Sequence, residues 1–127
     1  MPSIEHAAIF ADEPGILKAF YEDAFGFRVI VDNSKSRPPG YFLAGEKGAA
    51  LEIIGRPFGA DNVNQRHICH IAFLVADFDA SRALLESRGV VFETDTVVDN
   101  ESMRTAFFND PEGNRVQIVW RAKPLGS

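Results

Sequence analysis

The chain repeats itself once, and that repeat limits the available folds more than any other feature. The segment Ile4-Glu5-His6-Ala7-Ala8-Ile9-Phe10-Ala11-Asp12 returns as Ile68-Cys69-His70-Ile71-Ala72-Phe73-Leu74-Val75-Ala76-Asp77. The two histidines stand 64 positions apart, each followed two positions later by Ala. Both copies read as strands, and each ends on an Asp able to cap a helix. After Asp12, Pro14 suits a first helical turn, and Ile16, Leu17, Phe20 and Ala24 recur at helical spacing up to Gly26. After Asp77, Ala80, Ala83 and Leu84 repeat that pattern, and Gly89 closes it. Three strand-like runs follow each helix, at about 27–32, 40–44 and 49–54 and again at about 90–94, 103–108 and 115–121. The expected fold is therefore α+β, with two tandem βαβββ modules at about 3–55 and 67–121. A linker at about 56–66, rich in Gly, Pro, Asp and Asn, joins them. An offset near 65 residues is too long for a solenoid repeat, so the two copies are expected to form one domain over residues 1–127.

Composition agrees with such a domain. Apolar residues make up 46% of 127, and eleven Phe supply bulky core material. Lys and Arg number 13 against 18 Asp and Glu, a net charge of −5, which argues against nucleic acid or an anionic membrane as partner. No apolar run approaches the roughly 20 residues that span a bilayer, and the first residues lack a signal-peptide pattern. The single Cys69 cannot form an internal disulfide and reads as a buried, inert thiol of a reducing compartment. A cytoplasmic, soluble chain is expected.

Strand alternation places the polar groups. His6 shares a face with Ile4 and Ala8, while Ala7 and Ile9 oppose it; His70 shares a face with Ala72, opposed by Ile71, Phe73 and Val75. Glu52 stands opposite Leu51 and Ile53, and Gln117 stands opposite Val116, Ile118 and Trp120. Glu52 and Gln117 are 65 positions apart, matching the histidine offset to within one residue. A lone His on a strand is more often structural than ligating, and a lone Glu or Gln is usually just solvated. Four ligand-type groups on four strands at matched offsets are another matter. Two imidazoles, a carboxylate and an amide oxygen suit Zn, Ni, Co, Fe or Mn. His67, three residues before His70, reads as a loop residue and not a ligand.

With these residues in view, the sequence resembles the vicinal oxygen chelate superfamily of glyoxalases, bleomycin-resistance proteins and extradiol dioxygenases. Three signatures carry the resemblance: His6 followed by Asp12, the run from Phe20 to Phe27, and Asn109-Asp110-Pro111-Glu112-Gly113-Asn114 before the last strand. The likeness implies that the two modules curl their mixed sheets into a cup around a metal held by His6, Glu52, His70 and Gln117. The last of these departs from the family's commoner Glu. An amide cannot take up a proton, so the candidate general base moves to Glu52.

The expected function is then a divalent-metal-dependent lyase or isomerase of glyoxalase type. It would act on a small oxygenated substrate by bidentate oxygen chelation and enediolate-like stabilisation. A ring-cleaving dioxygenase is the chemical variant, since His6, Glu52 and His70 make a two-His-one-carboxylate set. A non-catalytic binder of small molecules or antibiotics is the other alternative, with Tyr41, Phe42, Phe107, Phe108 and Trp120 as possible cleft residues. Of Arg28, Arg37, Arg66 and Arg104, the last is the best candidate to grip a substrate carboxylate. Exposed sheet edges lead to the expectation of a homodimer.

Overall fold

The computed structural model describes residues 6–56 and 70–123. The chain divides into two compact units, Met1–Val63 and Asn64–Ser127. Most of the expected linker, together with His67 and Cys69, lies outside the described residues. No helix among the described residues is long and apolar enough to cross a membrane.

The first unit runs β1 (His6–Ala11), α1 (Pro14–Phe25), β2 (Arg28–Asn33), β3 (Gly40–Ala44) and β4 (Ala50–Gly55). Its sheet has the order β1-β4-β3-β2, with β1 parallel to β4 and the other pairs antiparallel. The second unit runs β5 (Ile71–Leu74), α2 (Phe78–Ser87), β6 (Val98–Asp99), β7 (Met103–Asn109) and β8 (Arg115–Arg121). Its sheet has the matching order β5-β8-β7-β6, again with the outer pair β5/β8 parallel. Two βαβββ modules with mixed four-stranded sheets are therefore present.

Strand alternation sorts the residues as their hydrophobicity requires. Ile9, Ala11, Leu51, Ile53 and Leu43 turn to the helix side of the first sheet and are buried. Val116, Ile118, Ala106 and Phe108 do the same in the second. Leu17, Tyr21 and Ala24, one helical face, cover the first sheet, and Phe78 and Leu85 are the buried residues of α2. Leu17 and Ala24 lie on the expected face of α1, while the expected Ile16 and Leu84 do not face inward. Ile16 is 58% exposed and Leu84 41% exposed, because Leu17 with Tyr21 and Phe78 with Leu85 offer larger seams to the sheets.

The two helix starts also differ. Asp77 caps α2 as expected, its Oδ1 accepting from the Ala80 amide at 3.0 Å. Asp12 does not cap α1. The residue before that helix is Glu13, with no side-chain cap, and Asp12 instead accepts from Arg56 Nε at 3.0 Å. A long-range guanidinium has outcompeted the local amides. Both helices end on glycines at positive φ, Gly26 at 68° and Gly89 at 89°.

One expected strand is absent. Residues 90–94 are irregular, and the strand bordering β7 is the two-residue β6 further along. The irregular run is tied by other means: the Glu93 amide donates to the Phe107 carbonyl at 2.8 Å, Phe92 is buried, and Val91 is 85% exposed. The apolar Val90-Val91-Phe92 run thus has one buried side chain, too few to hold a ladder. The hairpin at 109–114 is a real device. Asp110, 4% exposed, accepts through Oδ1 from the amides of Glu112 and Asn114, both at 2.9 Å, and through Oδ2 from Asn114 Nδ2 at 2.9 Å. Gly113 supplies the left-handed residue at φ 85°.

Candidate metal centre

In the first unit the parallel pairing sets Ala8 beside Glu52, and the antiparallel pairing sets Phe42 on Glu52's other flank. His6 is two residues before Ala8 on the same face, within diagonal reach of Glu52. Its Nε2 lies 3.4 Å from Glu52 Oε1, with 35% and 21% of the two side chains exposed. The His6 ring meets Phe42 edge to face at 5.2 Å and 80°. Leu51 and Ile53, buried behind this face, fix the strand so that Glu52 can point only the other way.

The second unit reproduces this register. Ala72 and Phe107 flank Gln117 as Ala8 and Phe42 flank Glu52. His70, one residue before β5, meets Phe107 edge to face at 5.1 Å and 86°. The Phe pair carries the 65-residue offset of Glu52 and Gln117. Extending the repeat to residues 42 and 107 would have found the aromatic partner of each imidazole.

The chemistry around the second pair is different. Gln117 Nε2 donates to Thr105 Oγ1, a short hydrogen bond across β7 and β8. Arg115, on Gln117's face, lies with its guanidinium 3.9 Å from the Phe107 ring centre. Arg115 also grips Glu93 with two bonds of 2.9 Å, and Thr96 Oγ1 donates to Glu93 at 2.7 Å. Hydrogen bonds from Arg115 first and Thr96 second pull the Glu93 carboxyl down to about 2. The alternation pattern gave no sign of Thr105 or of the Glu93–Arg115 pair, because both depend on which residues face each other across strands.

His6, Glu52 and Gln117 sit on the sheet face opposite the buried apolar stripe, His70 lies one residue before β5, and the structure brings His6 and Glu52 together. His70 and Gln117 both border Phe107 in the other unit. Among the described residues, no three His, Cys, Asp or Glu side chains gather into a metal-holding group. The donor chemistry fits a divalent ion: in the first unit an imidazole nitrogen and a carboxylate oxygen converge on one exposed spot, as a pair of metal ligands must.

Arg104 does not have the role expected of it. Its fork donates to Asp79 at 2.9 and 3.1 Å and to Asp99 at 3.0 Å, and it lies over the Phe78 ring at 4.7 Å. The hydrogen bonds from Arg104 lower the Asp79 pKa. Arg104 therefore ties the start of α2 to β6. Of the aromatic residues considered for a cleft, Phe108 is buried core, while Phe42 and Phe107 pack on the histidines.

Comparison with known proteins agrees with this architecture. Residues 3–118 match the family model of the Glyoxalase/Bleomycin resistance protein/Dioxygenase superfamily, and the chain belongs to that superfamily. It is 33% identical over 123 residues to the uncharacterized protein YaeR of Escherichia coli strain K12, covering 93% of this chain and 95% of that one. Its fold is similar to that of lactoylglutathione lyase from Agrobacterium tumefaciens, with TM-score 0.69, 19% identity and coverage of 93% and 92% of the two chains. It is also similar to TnmS3, an antibiotic binding protein from Streptomyces sp. CB03234, with TM-score 0.75, 20% identity and coverage of 96% and 98%.

Proposed function

We propose that the chain is a divalent-metal-dependent enzyme of glyoxalase type whose metal ligands are His6 and Glu52 in the first unit and His70 and Gln117 in the second. The observation that carries this reading is the 3.4 Å approach of His6 Nε2 to Glu52 Oε1, in a strand register that the second unit repeats around His70 and Gln117. Superfamily membership supports it. A divalent ion bound there would act as a Lewis acid on a substrate carbonyl.

The residues divide the remaining work by their chemistry. Glu52 is the carboxylate of the set and the candidate base for moving a proton alpha to a carbonyl. Gln117 cannot take up a proton and serves as a neutral oxygen ligand. Phe42 and Phe107 keep the two imidazole planes upright. The substrate class is a small 2-oxo or 2-hydroxy compound, with the hemithioacetal of glutathione and a 2-oxoaldehyde as the first candidate.

The test is elemental analysis of the purified chain after divalent supplementation. About one equivalent per chain is expected of a four-ligand site, and less than about 0.3 sinks the proposal. Isomerisation of the hemithioacetal, followed by thioester absorbance, should fall with Glu52→Gln by about 100-fold or more. A metal-free chain that still binds antibiotics tightly would instead favour the non-catalytic binder that the fold of TnmS3 brings to mind.

A further inference from the structure

Glu52 and Gln117 hold equivalent places, yet the amide raises a problem that the carboxylate does not. The two oxygens of Glu52 are alike. The end group of Gln117 has one atom that can bind a cation, Oε1, and one that repels it, the hydrogen-bearing Nε2. The two ends are nearly the same size, so packing sorts them poorly. Something polar must decide which atom faces the ion.

In this structure Thr105 holds the nitrogen end. It pairs with Val119 on β8, two residues along from the Phe107–Gln117 pair and on the same face. Its hydroxyl accepts from Gln117 Nε2, and at 2% exposure it has little competition from water. The first unit lacks this device. The place equivalent to Thr105 is Gly40, which like Thr105 stands two residues before the aromatic partner of the histidine. A Cβ at Gly40 would sit 2.5 Å from the Ile53 carbonyl oxygen, so no side chain fits there. Glycine faces the ligand that needs no sorting, and threonine faces the one that does.

We propose that Thr105 is a positioning residue that holds the Gln117 amide by its nitrogen and so offers Oε1 to the ion. This rests on Gln117 being a ligand, as proposed above. Outer partners of metal ligands commonly set affinity by roughly 10- to 100-fold, and a neutral amide belongs at the low end.

The experiment is zinc binding to the full chain, read by competition with a chromophoric chelator. Thr105→Val should weaken zinc affinity by about tenfold. Thr105→Ser, which keeps the hydroxyl, should stay within about twofold of the unaltered chain. In a Gln117→Ala background Thr105→Val should change affinity by less than about twofold, because its effect runs through the amide. An unchanged affinity for Thr105→Val, or an equal loss in the Gln117→Ala background, overturns the positioning role while leaving the metal centre intact. An unaltered chain that binds no zinc overturns both. A second measurement does not depend on how the variants fold. In the zinc-free chain the side-chain amide protons of Gln117 should exchange with solvent at least about fivefold more slowly than those of free glutamine. Exchange at the free rate contradicts the proposal.

Discussion

The two units share one strand order and one pairing register, yet they hold their polar groups by different means. In the first, His6 and Glu52 meet directly, and the sheet around them has four strands of five or six residues, with a register shift between Val29 and Val31 where β2 pairs with β3. In the second, Gln117 is held by Thr105, and the bordering strand has shrunk to two residues. What replaces it is the Glu93–Arg115–Phe107 stack leading to His70. Arg115 has Ala50 as its equivalent in the first unit, so this stack has no counterpart there. The register is fixed by the buried stripe common to both units, whereas the exposed face is left open to diverge.

The core should therefore respond alike in both units. Ile53 and Ile118 are repeat-equivalent and fully buried, and either Ile→Ala change should destabilise by about 2–5 kcal/mol in denaturant unfolding. A large loss in one and almost none in the other would break the equivalence of the two stripes. Gln117→Glu makes the two ligand pairs alike. It should tighten divalent binding by roughly tenfold, since ligand charge adds to affinity. Weaker binding would show that the amide is required and that the pairs are not interchangeable.

The helix starts should separate next. Asp77→Ala should lose about 1 kcal/mol, the usual value of a side-chain cap. Asp12→Ala removes an exposed pair with Arg56 and should lose less than about 0.5 kcal/mol. Equal losses would mean that Asp12 supports α1 in some other way. The smallest effect concerns pH. The folded-state pKa of Glu93 is depressed from an ordinary 4.5 to about 2, so the pair with Arg115 contributes fully above the ordinary value. That contribution fades as pH falls from about 4.5 toward 2. Thermal melts of the unaltered chain and of Glu93→Gln should therefore converge across this window. A constant difference between them would show that the pair does not titrate as described.

What the sequence disclosed follows the same division. The repeat, the two helices and most strands were legible because hydrophobic period is a local signal. The faces of His6, Glu52 and Gln117 were legible because alternation is rigid. Residues 90–94 misled because Val90, Val91 and Phe92 look like a strand, although only Phe92 is buried. Asp12 misled because its partner, Arg56, is 44 residues away. Arg104 looked available for a substrate until Asp79 and Asp99 were seen to occupy its fork. Thr105 was illegible for a similar reason. Its meaning depends on facing Gln117 across a strand pair, and hydrophobic period carries no record of that.

His6, Glu52, His70 and Gln117 are the proposed metal ligands, two in each unit. The most direct measurement is metal content per chain for the unaltered protein beside His6→Ala and His70→Ala, with circular dichroism to confirm that each variant is folded. About one equivalent is expected in the unaltered chain, with loss of uptake in both variants. Full retention of metal by either variant would contradict this ligand assignment.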